Sequence, residues 1–108
     1  MSGKVAPTTY PLPVIVDVYA DWCLPCVELD HVTFRHPQVL EALRGVATLR
    51  IDATTGVAPE AEEFLKRYDV YGAPTVLLFD RAGQEQQALR VLGFVKPEEF
   101  LRRVARLQ

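Results

Sequence analysis

Apolar residues recur with two different periods along the chain, and these periods predict its strands and helices. Residues 14–20 form a short run rich in valine and isoleucine, which is typical of a strand buried on both faces. Further strand-like runs cover residues 46–52, 75–79 and 87–92. Apolar residues at helical spacing cover 24–32, 37–44, 59–68 and 97–107, with residues 33–37 as an interruption. The predicted element order is therefore β-α-β-α-β-β-α.

This order predicts an α/β protein with a central four-stranded mixed sheet. The first strand–helix–strand unit forms a parallel pair with a right-handed crossover, and the turn at residues 80–83 folds the last two strands into a hairpin. We expect helices to cover both faces of this sheet. Residues 1–12 contain prolines and show no periodicity, so we expect a flexible leader before one domain at residues 13–108.

Composition and charge exclude several classes of function. A chain of 108 residues with 49% hydrophobic and 24% charged residues is typical of one globular domain. The net charge of −2 comes without a basic block, so we expect no nucleic-acid partner. No apolar run approaches the ~20 residues that span a bilayer, and residues 1–12 lack a signal-peptide pattern. We therefore expect no direct insertion into a membrane.

Candidate chemistry lies directly after the first strand, in the stretch Trp22-Cys23-Leu24-Pro25-Cys26. Pro25 suits the first turn of a helix, so Cys23 is predicted at the helix N-terminus, where the helix dipole favours a thiolate. Cys26 follows in the first helical turn, close enough to close a disulfide ring with Cys23. A C-x-x-C motif beside a βαβ pattern is a redox signature. We expect Cys23 to have the lower pKa of the pair and to be the more exposed.

Two alternatives to a redox pair remain open. The cysteines could be an inert buried pair. They could also bind zinc together with His31 and His36, because the spacing is close to that of a zinc knuckle. On a helix, however, a step of five residues turns each ligand by about 140°, so these side chains diverge. We expect no metal, and we expect the two histidines at the surface or at a helix cap.

Acidic and aromatic residues near the motif are further candidates. Asp17 lies inside the apolar strand, and an unpaired buried carboxylate there would have a raised pKa. Placed under the cysteines, Asp17 could accept the proton of Cys26 as a general base; the alternative is an aspartate at a sheet margin paired with a lysine or arginine. Asp30 follows Cys26 by one helical turn and is either a second acid beside the cysteines or a solvated one. Trp22 is either an exposed platform over the site or a core aromatic.

These residues resemble a known family. The stretch from Trp22 to Cys26 is similar to the active-site motif of thioredoxins, although Leu24 stands where glycine is usual. Gly72-Ala73-Pro74-Thr75 looks like the thioredoxin turn that contains a cis proline, and Asp17 matches a buried aspartate of that family. A closer resemblance is to the C-terminal periplasmic domains of the DsbD family. It is carried by residues 17–23, Thr33-Phe34, Pro37-Gln38-Val39, residues 82–85 and Gly93-Phe94.

The resemblance implies a thioredoxin-like fold and a thiol:disulfide oxidoreductase. In it, Cys23 attacks a partner disulfide and Cys26 resolves the mixed disulfide, with no cofactor beyond this cysteine pair. It also implies that Pro74 is cis, that Ala73 offers its backbone to an extended partner segment, and that Asp30 tunes the cysteines. We expect a shallow apolar rim around Cys23, formed by Trp22, Leu24, Ala73, Pro74 and Gly93.

The resemblance also suggests a setting. The partners would be disulfide-bearing protein domains and a membrane-embedded electron donor domain, met by a monomer in the periplasm or another extracytoplasmic space. Pro25 is typical of thioredoxins, so a free-standing protein reductant in the cytoplasm, reduced by a flavoprotein, stays open. A non-catalytic or metal-binding module is the third hypothesis.

Overall fold

The structure is a computed structural model that describes residues 11–107 of the chain. Its strands are β1 (Val14–Tyr19), β2 (Ala47–Asp52), β3 (Thr75–Phe79) and β4 (Val91–Leu92). Its helices are α1 (Leu24–Glu28), which continues as a π-helix (Leu29–Phe34), α2 (Pro37–Ala42), α3 (Pro59–Arg67) and α4 (Pro97–Leu107). The predicted element order is confirmed.

The four strands form one mixed sheet in the order β2-β1-β3-β4. β1 pairs in parallel with β2 and antiparallel with β3, and β3 pairs antiparallel with β4. Within this register Asp17 lies between Arg50 on β2 and Val76 on β3. The predicted four-stranded mixed sheet is therefore confirmed, with β1 at its centre.

Helices cover both faces of the sheet because alternate strand residues point to opposite sides. Val16, Val18 and Leu77 pack on one face against side chains of α3. Ile15 and Val76 pack on the other face, in the larger core that includes Leu29, Val39, Phe100 and Val104 from the remaining helices. Asp17 and Ile15 are two residues apart on β1, so their side chains point to the same face of the sheet. Asp17 therefore points to the face covered by α1, the π-helix, α2 and α4.

The predicted interruption at residues 33–37 is wrong in its position, because the first helix continues as a π-helix to Phe34. Thr33 is fully buried there, and its hydroxyl donates a hydrogen bond of 2.6 Å to the backbone carbonyl of Val95. This partner is distant in sequence, so no local pattern could predict the extension. α2 then starts after His36, whose Nδ1 accepts a hydrogen bond of 3.2 Å from the Gln38 backbone.

The predicted strand at residues 87–92 is also wrong in part. The chain instead forms a 3-10 turn (Gln87–Leu89) and only the two-residue strand β4. Leu89 is buried, and the Arg90 guanidinium donates to the Glu85 carboxylate and, at 2.8 Å, to the Tyr68 carbonyl. These contacts with distant residues favour a 3-10 turn at Gln87–Leu89 instead of the predicted strand.

The predicted leader lies mostly outside the described residues, which begin at Pro11. The carbonyl of Pro11 accepts a hydrogen bond of 3.1 Å from Arg81. Among the helices within residues 11–107, none has both the length and the apolar character that a membrane crossing requires.

Candidate active site

The two cysteines lie on the turn that joins β1 to α1. Cys23 is the N-cap residue of α1, with extended backbone angles, and Pro25 lies in the first turn. The Cys23 sulfur accepts a hydrogen bond of 3.2 Å from the Cys26 backbone N–H, which also donates to the Cys23 carbonyl at 3.1 Å. The two residues form a disulfide, with their Cα atoms 5.2 Å apart. The predicted place of Cys23 at a helix N-terminus is confirmed.

The prediction that Cys23 is the more exposed cysteine is wrong for this disulfide form. Cys23 and Cys26 are 5% and 6% exposed, so neither sulfur is favoured by access. Both pack in a small cluster with Ala20, against Tyr19 and Ala73. Residue exposure therefore does not distinguish the two cysteines in the disulfide form.

The residues that flank Cys23 stand out from the surface. Trp22 and Leu24 are 69% and 68% exposed, so Trp22 is not a core aromatic. The Trp22 indole N–H donates a hydrogen bond of 3.0 Å to the Thr54 carbonyl, and the Asp21 backbone donates one of 2.9 Å to the Thr54 hydroxyl. Thr54 thus holds the cysteine turn from the loop after β2. Sequence reasoning missed Thr54, because only the parallel pairing of β1 and β2 brings that loop beside the turn.

A second turn lies beside the cysteines and contains the Ala73–Pro74 bond, which is cis as expected. The Thr75 hydroxyl donates to the Gly72 carbonyl at 2.7 Å. The Gly93 backbone N–H donates to the Pro74 carbonyl at 3.1 Å, and Gly93 has a φ of 85°, which favours glycine. One open groove of about 480 Å³ is lined by Pro25 of the cysteine turn together with Ala73, Pro74, Leu92 and Gly93. The predicted rim residues Ala73, Pro74 and Gly93 therefore lie side by side.

Asp17 is buried as predicted, but the expectation of an unpaired charge is wrong. Its carboxylate accepts a hydrogen bond of 3.1 Å from the Arg50 Nε, which the strand register places directly opposite. The Arg50 guanidinium also lies 4.0 Å above the Tyr19 ring. Burial nevertheless raises the pKa of Asp17, since the loss of hydration outweighs the attraction of Arg50, and the negative charge of Asp30 raises it further.

Asp30 is near both Asp17 and Cys26, because it lines a groove with each of them. A groove of about 200 Å³ is lined by Asp17, Asp30 and Arg50 among apolar side chains, and an adjoining groove of about 330 Å³ is lined by Cys26, Asp30 and Arg50. The Asp30 carboxylate is also 3.4 Å from the Arg35 guanidinium. The structure thus brings Asp17, Asp30 and Cys26 into one region, together with Arg50, which sequence reasoning missed. The sequence shows that side chains alternate between the two faces of β2. It does not show that Arg50 lies opposite Asp17, because that depends on the register of β1 and β2.

The zinc alternative requires cysteines and histidines that converge. The Cys23 and Cys26 sulfurs are bonded to each other, and His36 caps α2 through its Nδ1. His31 is exposed. In residues 11–107 no group of three histidine, cysteine or acidic side chains is placed to hold a metal ion.

The chain is similar to known proteins in sequence and in structure. The model of a thioredoxin-like domain matches residues 4–108. The thiol:disulfide interchange protein DsbD of Klebsiella pneumoniae is 43% identical over 88 residues, which cover 82% of this chain and 14% of that protein. DsbD of Escherichia coli K12 is also 43% identical over 88 residues, covering 82% of this chain and 15% of that protein. The chain therefore spans about a seventh of the length of these curated relatives.

Solved structures agree with the sequence relatives. The reduced C-terminal domain of DsbD from Neisseria meningitidis superposes with a TM-score of 0.73 at 32% identity, covering 89% of this chain and 81% of that one. The oxidised form gives a TM-score of 0.74 at 31% identity, with 90% and 81% covered. The chain therefore belongs to the thioredoxin-like family, among the DsbD C-terminal domains, and its Cys23–Cys26 pair is that of a thiol:disulfide oxidoreductase.

Proposed function

We propose that the chain passes electrons between protein domains as the C-terminal domain of a DsbD-like relay. The observation that carries the proposal is the Cys23–Cys26 disulfide at a helix N-terminus, next to the cis Ala73–Pro74 turn. The donor would be a membrane-embedded domain and the acceptor a disulfide-bearing domain, and this chain would meet both outside the cytoplasm. No cofactor is needed, because the cysteine pair carries both electrons.

The exchange proceeds in two balanced steps. The Cys23 thiolate attacks one sulfur of the partner disulfide; a Cys23–partner bond forms, the partner S–S bond breaks, and the second partner sulfur leaves as a thiolate that takes up a proton. The Cys26 thiol then gives up its proton, and its sulfur attacks Cys23. The mixed disulfide breaks, and the partner leaves with two thiols while this chain keeps a disulfide. Reduction by the donor runs the same steps in reverse.

Acidic side chains beside Cys26 would assist the second step. Asp17 is the general base in this proposal, because its raised pKa brings the carboxyl nearer to the range in which it can take and release a proton. Asp30, which lines a groove with Asp17 and another with Cys26, adds negative charge that disfavours a thiolate at Cys26 before attack. Asp17 and Asp30 would therefore together favour the loss of the Cys26 proton during the second step rather than before it.

The surface around the cysteines suits a protein partner. Trp22, Leu24 and Leu92 are exposed apolar side chains, and the groove beside Pro74 and Gly93 is open rather than enclosed. Brief electron-transfer contacts use small interfaces of this kind, whereas a small-molecule site encloses most of its ligand. An extended segment of the partner would lie along the Ala73 backbone, strand to strand. A monomer with this rim free meets donor and acceptor in turn.

A trapping experiment tests the proposal. The Cys26→Ser variant should form a stable mixed disulfide through Cys23 with the acceptor domain of DsbD, because the resolving thiol is missing. The Cys23→Ser variant is the matched control and should form none. Thioredoxin reductase with NADPH should reduce the wild-type chain slowly. Rapid reduction by that enzyme would favour the free-standing protein reductant, which Pro25 of the motif also suits.

A further inference from the structure

Arg50 is placed at the site by the register of β1 and β2, which sets it opposite Asp17. Its Nε donates to the Asp17 carboxylate at 3.1 Å, and its guanidinium lies 4.0 Å above the Tyr19 ring. The Arg50 side chain is 49% exposed and that of Asp17 only 9%, so the cation stands between the buried carboxylate and water. The tyrosine ring limits where the guanidinium can move, because a cation is held over the ring face.

Arg50 is also near both Asp17 and Cys26. It lines the groove that contains Asp17 and the adjoining groove that contains Cys26. We propose that Arg50 is a positioning residue that keeps the Asp17 carboxylate ionised and oriented to accept the proton released by Cys26. The inference rests on the proposed function and adds to it the residue that prepares the base.

The charges around Asp17 are few, so the contribution of Arg50 can be isolated. β2 supplies Arg50, and the π-helix supplies Asp30, whose charge is partly offset by Arg35. β3 places the apolar Val76 opposite Asp17, and α2 and α4 supply only apolar groups to its groove. Asp21 and His31 line the neighbouring groove beside Cys26. Within residues 11–107, Arg50 is the cation that forms a hydrogen bond with Asp17, whereas Arg35 pairs with Asp30.

The consequence is a pH-dependent resolution step. Without Arg50, burial and Asp30 act on Asp17 unopposed, so the carboxyl holds its proton to higher pH and is less often available as a base. Resolution by Cys26 should then slow on the acid side of the pH profile. It should recover at alkaline pH, where Cys26 loses its proton without a base.

The test follows the attack of Cys26 on a mixed disulfide formed between Cys23 and an aromatic thiol, whose release is seen by absorbance. The Arg50→Gln variant removes the charge, and Arg50→Lys retains it. Arg44→Gln is the matched control, because Arg44 is an exposed arginine paired with Glu41. We expect Arg50→Gln to resolve up to about fivefold more slowly in acid, the ratio expected for a half-exposed ion pair. Its rate should equal that of wild type at alkaline pH, with Arg50→Lys intermediate and Arg44→Gln unchanged.

In this assay, two pH profiles of Arg50→Gln would overturn the inference alone. The first is an Arg50→Gln profile that superposes on that of wild type. The second is one lowered by the same factor at every pH, as a purely structural role would produce. When Asp17 is already replaced by Asn, Arg50→Gln should not slow resolution further. If the two substitutions slow resolution additively, that result also contradicts the inference.

A second measurement does not depend on exchange. Carbon-13 NMR of the intact oxidised protein follows the Asp17 carboxyl through its titration, and Arg50→Gln or Arg50→Lys can be compared with wild type. A higher midpoint in Arg50→Gln is expected, and an unchanged one would overturn the inference. Failure of wild type to exchange disulfides at all would instead overturn the proposed function, and this inference with it.

Discussion

At the scale of single residues, backbone hydrogen bonds distinguish the two cysteines of the site. Cys23 and Cys26 are equally buried, so access does not distinguish them in the disulfide form. Hydrogen bonding distinguishes them, because the Cys23 sulfur accepts a hydrogen bond from the Cys26 backbone N–H at the start of α1. A thiolate at Cys23 would keep that donor and the helix dipole.

Cys23 should therefore be alkylated first in the reduced protein near neutral pH. We expect labelling of Cys23 to exceed that of Cys26 by about fivefold or more, from stabilisation of the thiolate at the helix N-terminus. Mass spectrometry of singly labelled peptides measures the ratio, and the Cys23→Ser and Cys26→Ser variants give the separate rates. Faster labelling of Cys26 would contradict the assignment.

Asp17 should make stability depend on pH. Burial raises its pKa in the folded protein, so the folded state binds the proton more tightly than the unfolded state. The wild type is then relatively more stable in acid and loses stability as the pH rises from the ordinary aspartate value through the raised folded pKa. Asp17→Asn does not ionise, and the half-exposed Arg50 remains hydrated without its partner. The variant should therefore have the higher free energy of unfolding at neutral pH.

Urea denaturation across the acid-to-neutral range measures this difference, which should vanish in acid. Asp52→Asn is a control of opposite sign. Hydrogen bonds from Thr54 lower the pKa of Asp52, so that carboxylate stabilises the fold above its unfolded pKa and less as the pH falls. Asp52→Asn should be destabilised at neutral pH. Equal stability of wild type and Asp17→Asn at neutral pH would argue against the burial of a charge.

At the scale of elements, the site is held by the irregular parts of the helical layer. The π-helix carries Asp30 toward Asp17, and its last turn is tied by Thr33 to the carbonyl of Val95, just before α4. This bond connects the end of the π-helix to the segment that leads into α4. A π-turn within a helix often marks a functional position, because the extra residue shifts the side chains that follow.

Thr33→Val should destabilise the protein by about 1–2 kcal/mol, because it preserves shape but leaves the Val95 carbonyl without its buried partner. Thermal or urea unfolding measures the change. Thr55→Val is the matched control, because Thr55 is exposed in the loop after β2, and its effect should lie within about 0.5 kcal/mol. A loss no larger than that of the control would show that the Thr33 bond contributes little.

At the scale of the whole molecule, strand pairing gathers three separate turns at one end of the sheet. β3 begins where β1 ends, since Thr75 pairs with Val18, and Thr75 also pairs with Leu92 near Gly93. The cysteine turn, the Pro74 turn and the Gly93 turn are therefore neighbours. Open α/β sheets commonly place their sites at such an end.

The apolar rim should affect protein partners more than small disulfides. Leu92 is 71% exposed at the groove beside Pro74, so Leu92→Ser should raise KM for a protein disulfide by about fivefold, typical of a moderately important interface residue. The rate with a small aromatic disulfide should not change. Val32→Ser, at an exposed valine of the π-helix, is the control and should leave both rates unaltered. Equal losses with protein and small disulfides would contradict a docking role.

The sequence alone determined most of the architecture and the centre of the chemistry. Strong local patterns specify β1, α3 and α4, because buried runs and helical stripes are encoded by neighbouring residues. Cys23 and Cys26 were predicted because the motif and its helix start are contiguous. Helical spacing placed Asp30 on the same face as Cys26. Resemblance added the tuning role of Asp30 and the cis bond before Pro74.

Tertiary structure decided the features that depend on residues far apart in the chain. Arg50 became the partner of Asp17 through the β1–β2 register, and Thr54 reached Trp22 across the same pairing. The π-helix and the short β4 followed from contacts of Thr33 and Arg90 with distant carbonyls. A sequence pattern records which side chains are apolar or charged. Only the folded chain determines which of them meet, because hydrogen bonds and ion pairs require two partners within a few ångströms.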